Sequence, residues 1–316
     1  MLSTTNRVRI FAASFILMML NSANANTALD AQLREVAAGG TNSQLINLVQ
    51  KGANVNAPGK YGKRPIMFAA ESGNMNIVVA LLSYGAEVNA RTKRGETALT
   101  LATVNGNAQI TALLIEFDAN VHDRNRAGMD SLMIAAKNGN ANIVRQLLQF
   151  GADVRSSDSL GNTALMHAIK AGHVDAVKSL FQSKQLMPCI PNNIGVTPLM
   201  ASIINGNSDI IHAVLPQIKR INFQDNFGSI ALHYAAEENN LEVVKYLVEH
   251  NSHIDQEDLD GETPLFYAIK SGNLEVAEYL IKNKANKAHK NSAGMTPYQI
   301  AKKKNHQPLM DLLKSE

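Results

Sequence analysis

Apolar positions along the chain fall into short paired runs that keep returning. The first run of each pair carries small residues, as at Ala69-Ala70, Ala135-Ala136 and Ala235-Ala236. The second places apolar residues at helical spacing, as at Ile77, Val78, Leu81 and Leu82, or Val243, Val244, Tyr246 and Leu247. Both runs predict helices, and alanine suits the first because it favours helix and lets neighbours approach closely. Thr197-Pro198, Thr263-Pro264 and Thr296-Pro297 read as helix starts, the threonine oxygen capping a free amide and proline taking the first helical position. Gly73-Asn74, Gly106-Asn107, Gly139-Asn140, Gly172-His173, Gly206-Asn207 and Gly272-Asn273 mark the turn between paired helices.

The pairs recur with a fixed period. Gly62, Gly95, Gly128, Gly161, Gly195, Gly228, Gly261 and Gly294 are spaced 33, 33, 33, 34, 33, 33 and 33 residues apart. The surrounding phrase recurs with them, as in Gly95-Glu96-Thr97-Ala98-Leu99 and Gly261-Glu262-Thr263-Pro264-Leu265. A ninth, degenerate copy begins at Leu29, which stands 33 residues before Gly62. Several copies close with Gly-Ala-x-Val, as at Gly52-Ala53-Asn54-Val55 and Gly151-Ala152-Asp153-Val154, leading into an extended hairpin. One helix pair cannot bury its apolar face alone, so the copies must stack on a shared core.

With these residues in view, the chain resembles the ankyrin repeat family over residues 28–316. Ser229-Ile230-Ala231-Leu232-His233-Tyr234-Ala235-Ala236 lies close to the family's Thr-Pro-Leu-His-x-Ala-Ala signature. The resemblance implies an all-α solenoid of about nine helix–turn–helix units, with β-hairpin loops projecting to form a concave face. Repeat starts fall near 28, 59, 92, 125, 158, 192, 225, 258 and 291, within a single repeat domain spanning 26–316. The signature histidine stands only at His233, so the Thr–His bonding implied by the resemblance is missing from most units. One extra residue in the fifth unit, and Pro216 in the second helix of the sixth, predict an irregularity over 183–222. Leu309, Leu312 and Leu313, after the polar run Ala301-Lys302-Lys303-Lys304-Asn305-His306, read as a C-terminal cap, with the lysines as solvated charge.

The first residues read differently. Arg7 and Arg9 precede an apolar run from Ile10 to Leu20, and Ala23 and Ala25 provide a small-x-small end. These are the parts of a cleavable signal peptide over 1–25, cut after Ala25, and the run is short for a permanent membrane anchor. Processing would leave 291 residues with a net charge of +1, against +3 for the whole chain. Export combined with a single cysteine, Cys189, fits a bacterial periplasm, because small domains on a eukaryotic secretory route lean on disulfides. The expected location is periplasmic or secreted.

Composition adds mostly exclusions. Aromatic residues make up 5% of the chain and tryptophan is absent, so the core rests on alanine, leucine, isoleucine and valine. The near-balanced charge selects neither nucleic acid nor a membrane surface, and the expected state is a monomer without cofactor, metal or stable membrane anchor. His250, His253 and Asp255 come nearest to metal-ligand spacing, but they fall where a second helix ends and read as a polar turn. Cys189 has no base in readable reach. Glu237-Glu238 and Asp258-Asp260 lie on repeat turns, and no catalytic site is expected.

By the resemblance, the residues flanking the first glycine of each unit, with the end of the first helix, face a partner. The candidates are Tyr61, Arg91, Lys93, Arg94, Arg124, Arg126, Met129, Leu160, Ile194 and Phe227. With Lys60 and Lys63 at one end, and Glu237, Glu238, Glu257, Asp258, Asp260 and Glu262 at the other, this face runs from basic through apolar to acidic. Leu160, Ile194, Val196 and Phe227 have two readings: packed down between hairpins, or exposed as a contact surface. The expected function is a non-catalytic scaffold for an unidentified protein partner, in periplasmic stress protection or enzyme or toxin inhibition. The alternative is a host-directed effector of an intracellular bacterium.

Overall fold

A computed structural model describes residues 27–314, so the expected leader over 1–25 lies outside the described residues. The described residues are all-α, with eighteen α-helices. They are α1 (Thr27–Gly39), α2 (Asn42–Gln50), α3 (Pro65–Ser72), α4 (Met75–Ser83), α5 (Ala98–Val104), α6 (Ala108–Glu116), α7 (Ser131–Lys137), α8 (Ala141–Gln149) and α9 (Ala164–Lys170). The series continues with α10 (Val174–Phe181), α11 (Pro198–Asn205), α12 (Ser208–Val214), α13 (Ala231–Glu237), α14 (Leu241–Glu249), α15 (Pro264–Ser271), α16 (Leu274–Lys282), α17 (Pro297–Lys303) and α18 (Gln307–Lys314).

The helices assemble into two compact units. The first holds the described residues up to Ser159 with Ser179–Gln185; the second holds Leu160–Lys178 with the described residues from Leu186 onward. In the first unit, α1, α3, α5 and α7 pack side by side in one layer, and α2, α4, α6 and α8 in another. In the second, α9, α11, α13, α15 and α17 form one layer, and α14, α16 and α18 pack in sequence in the other. Fully buried Ile66, Leu99 and Leu132 repeat one core position in the first unit, as Leu199, Leu232 and Leu265 do in the second. Buried Ala70, Ala102 and Ala136 keep adjacent helices of the odd-numbered layer close.

Helix starts use two reciprocal devices. Thr41, Thr97, Asp130, Thr163, Thr197 and Thr296 accept the amide three residues on with their side chains. The side chain at that third position often returns the favour to the capping residue's own amide. Gln44 and Gln299 do so at 2.8 Å, Thr100 at 2.8 Å, and the sulfurs of Met67 and Met200 at 3.4 Å. His233 fills this position before α13, its Nδ1 accepting from the Ile230 amide at 3.1 Å. Its Nε2–H is then free to donate to the Glu262 carbonyl at 3.1 Å, joining α13 to the next loop.

One expected cap is corrected. Pro264 does open α15, but the Thr263 oxygen is buried without a hydrogen-bond partner. The amide it would cap, that of Phe266, donates instead to the Thr263 carbonyl at 2.9 Å. The irregular stretch follows the missing amide of Pro216: α12 stops at Val214 and Leu215–Gln217 tighten into a 3-10 turn.

Asparagines at the second turn bind successive pairs together. Asn74, Asn207 and Asn240 cap their helices through Oδ1. The Nδ2 of Asn107 donates to the Ala70 carbonyl at 3.1 Å, that of Asn140 to Thr103 at 3.3 Å, and that of Asn273 to Ala236 at 2.8 Å. These are helix-end carbonyls; that of Thr103 also accepts from the Gly106 amide at 3.1 Å. A side chain at Gly73 would place its Cβ 3.1 Å from the Asn107 Oδ1, and Gly73 has φ 77°, so glycine is required there twice over.

Two outcomes follow. Asn107→Ala leaves the Ala70 carbonyl without its donor and should lower stability by about 1–2 kcal/mol in urea titration. Burial holds the His233 imidazole below its ordinary 6.5, so folding releases a proton and stability is complete above that pH and falls as the pH drops below it. His233→Gln, which keeps an acceptor for the Ile230 amide, should cost about 1 kcal/mol near neutrality. It should also flatten the dependence of the urea midpoint on pH below about 6.5, relative to the parent.

Candidate binding surface

Between one helix pair and the next, the chain projects as a fingertip, a turn closed by backbone bonds such as Thr92 N–H to Glu96 O at 2.9 Å. Beyond the first tip, the residue three before the glycine is Asn, Asp or Thr, and its side chain organises the turn. The Oδ1 of Asn125 accepts from the Ala127 and Met129 amides, that of Asn192 from Ile194 and Val196, and that of Asp225 from Phe227 and Ser229. Thr92 does the same with its hydroxyl. Asp225 and Asp258 also accept from the phenols of Tyr234 and Tyr267. Burial pushes both phenols above their ordinary range, so they serve as proton donors that clamp the turn.

Within each unit the tips are stitched together. Lys93 N–H donates to Tyr61 O at 2.7 Å and Arg126 N–H to Arg94 O at 2.9 Å in the first unit. In the second, Asn193 N–H donates to Leu160 O at 3.0 Å, Asn226 N–H to Ile194 O at 3.0 Å and Leu259 N–H to Phe227 O at 2.8 Å. The turn and the stitching consume backbone groups. The side chain directly before the glycine is left outside both, whereas two positions before Gly228 the Asn226 Nδ2 still donates to the Asn193 carbonyl at 3.0 Å.

In the first unit the side chains around the tip glycines are largely basic, and the cations fall into two sets. Arg91 is held by Asp123 at 3.1 Å and by the Arg124 carbonyl, and Arg124 donates to the Ser157 carbonyl at 3.1 Å. Lys63 pairs with Glu71. Lys93 and Arg126 are exposed and make no side-chain bond to the described residues, while Arg94 and Lys60 lie over the Tyr61 ring at 6.0 and 5.1 Å. Tyr61 is itself 55% exposed and sits at φ 59°, a left-handed conformation that glycine would adopt at less cost. Its tip has Gly59 where the others have Asn, Asp or Thr, so no side chain organises that turn and it folds as a 3-10 turn over Lys60–Gly62.

In the second unit the position directly before the glycine is apolar on three consecutive tips. Leu160 is 65%, Ile194 51% and Phe227 59% exposed, so these three do not pack down between the hairpins. Val196 does, and is buried. Met129 requires correction as a contact candidate: it is only 8% exposed, because the residue after the tip glycine turns inward beneath the finger. Glu262 occupies the equivalent position, buried and paired with Lys270, which takes it off the accessible acidic face. Leu259 escaped the sequence reading although it is the most exposed large apolar residue of the set at 74%, because it stands two residues before its glycine rather than one. Ile204, exposed at the end of α11, was also missed; the signal was an isoleucine where the other first helices of the second unit carry Lys170, Glu237, Lys270 and Lys303.

The His250 ring stacks on Tyr246 at 3.9 Å and bonds its carbonyl, the His253 amide donates to Asn222, and Asp255 accepts from the Asn286 amide. Among the described residues no group of three His, Cys, Asp or Glu side chains is placed to hold a metal. Cys189 is half-buried and unbridged in the irregular loop.

The family model of ankyrin repeats in three copies matches overlapping stretches at residues 33–125, 109–188, 132–224, 183–258, 199–292 and 250–316. A comparison with curated proteins finds no match.

Replacing Tyr61 by glycine should raise stability by about 1 kcal/mol through relief of the left-handed backbone. The same change should weaken capture of a partner by the first unit. A urea midpoint that does not rise would show that the ring's contacts with Arg94 and Lys60 outweigh the strain.

Proposed function

The chain belongs to the ankyrin repeat family, and from that premise we propose that it is a non-catalytic scaffold, exported from a bacterial cytoplasm, that holds a protein partner on its fingertip rows. Ankyrin repeats are in general non-catalytic modules of protein–protein interaction, and fold alone does not choose a partner. The observation that carries the reading is the division of labour within each fingertip. Backbone and organiser side chain build the turn, and they leave an outward side chain that does no structural work. Lys93, Arg94 and Arg126 are such residues in the first unit, three cations without an anionic partner among the described residues. A complementary acidic segment would satisfy them and gain speed of encounter as well as specificity.

Export is supported by Arg7 and Arg9 ahead of the Ile10–Leu20 run and by the small residues Ala23 and Ala25. No helix among the described residues is long and apolar enough to cross a membrane. In a periplasm, such a scaffold would suit stress protection or restraint of an enzyme or toxin.

The test is capture with the full chain, tagged at its C-terminus and recovered after cell fractionation. A product beginning near Asn26 in the periplasmic or extracellular fraction, with a reproducible protein partner, is the expected result. Arg94→Glu combined with Arg126→Glu should reduce partner recovery at least tenfold, in proportion to two lost charge contacts. Undiminished recovery would reject the basic row as the contact, and a full-length cytosolic product would reject export.

A further inference from the structure

The second unit has a binding chemistry of its own. Leu160, Ile194, Phe227 and Leu259 stand exposed on four consecutive fingertips that are stitched tip to tip by backbone hydrogen bonds, so they form one stripe. Large exposed apolar stripes of this kind mark contact sites. The end of each first helix faces its own fingertip: Lys170 reaches Asn162 at 3.1 Å, and Lys270 pairs with Glu262. The same register sets exposed Ile204 against Val196, which widens the stripe, and sets Glu237 against Ser229.

Charge beside the middle of the stripe is acidic, and Lys303 and Lys304 stand only against its far end, where they line a cavity with Asp260. Lys170 and Lys270 are already engaged, by Asn162 and Glu262. Glu237, Glu238 and Asp260 are exposed with no cation on their carboxylates, and Glu257 faces only the His289 ring at 3.6 Å. A second copy offering the same stripe would set carboxylates against carboxylates. A second copy offering its Lys93, Arg94 and Arg126 tips would bring cations but no apolar row, and would leave Leu160, Ile194, Phe227 and Leu259 uncovered. Neither is complementary.

The stripe also has a period. Each fingertip hangs from one helix of the α9, α11, α13, α15 layer, and helices packed side by side stand about 8–10 Å apart. A polyproline-type segment returns a side chain to the same face every three residues, a distance of about 9 Å. A β-strand does so about every 7 Å. An α-helix returns a side chain about every 6 Å along its i, i+4 row, and matches the stripe only at every seventh residue.

We propose that the second unit seats an extended, lysine- or arginine-bearing segment of a protein partner that places an apolar side chain at every third residue. The apolar side chains lie along Leu160, Ile194, Phe227 and Leu259, and the cations meet Glu237, Glu238 and Asp260. This inference rests on the scaffold reading and gives the second unit a partner chemistry different from the acidic segment suited to the first.

The probe is a fluorescent, end-capped peptide of four Leu-Pro-Lys units, titrated against the full chain by anisotropy. Its controls are a peptide with Glu for every Lys, and one of the same composition with Leu at every second position. The lysine peptide should bind, more weakly as salt rises, and both controls should bind at least tenfold more weakly. Phe227→Ser with Leu259→Ser, and separately Glu237→Lys with Glu238→Lys, should each weaken binding about tenfold. All four side chains are exposed, and an unchanged circular dichroism spectrum verifies the fold. Arg94→Glu with Arg126→Glu should leave peptide affinity unchanged. Equal binding of either control, or no loss in the serine and lysine variants, overturns the proposal. So does a parent chain that self-associates in sedimentation and is dispersed by Phe227→Ser, since the stripe's occupant would then be a second copy. Failure of the peptide while the chain still captures a partner through its first unit removes this inference alone; a chain that captures nothing removes the scaffold reading with it.

Discussion

Helices of seven to nine residues, such as α5 and α4, are too short to persist alone in water, where about 12–15 residues are marginal even for good helix formers. Here nearly every helix is of that size, and each survives because its neighbours do two things for it. They cover its apolar face, and they satisfy the carbonyls its last turn leaves open. The asparagine of the following pair performs the second task, with Asn107 reaching Ala70, Asn140 reaching Thr103 and Asn273 reaching Ala236. Because that donor comes from the next pair along the chain, helix formation and stacking are one process. A buried carbonyl without it would cost about 1–2 kcal/mol.

The fingertips follow a complementary logic. Their backbone is held by the residue three before the glycine and by the neighbouring tip, so it tolerates almost any side chain one or two positions before the glycine. That freedom is where the two units diverge. The first places cations there and the second places apolar residues flanked by carboxylates. Tyr61 shows what happens when the organiser is missing: with Gly59 in its place, the tip holds a non-glycine residue in left-handed backbone. Its ring meanwhile gathers Arg94 and Lys60. Strain and exposure coincide on one residue, as they do where contacts rather than stability govern a position.

Burial also reassigns residues that proximity in sequence would group together. Met129, Val196 and Glu262 each follow a tip glycine and turn under the finger, whereas Leu160, Ile194 and Phe227 precede one and turn outward. Neighbours separated by a single glycine thus differ completely in availability. Glu262 is the clearest instance. Its place in an acidic run suggests an accessible carboxylate, yet Lys270 and the Asn291 amide hold it within the unit.

The 33-residue recurrence, the paired helices, the glycine turns and the break at Pro216 were all legible in the amino-acid order, because each depends on local backbone chemistry that a few adjacent residues dictate. The candidate surface was legible only as a neighbourhood. Which fingertip residues point outward depends on how each turn rolls around its organiser. Which cations are spent depends on contacts about 32 residues away, such as Arg91 with Asp123. Leu259 and Ile204 joined the surface, and Met129 left it, for the same reason: accessibility is a property of packed neighbours, and a linear pattern carries no record of which neighbour lies above.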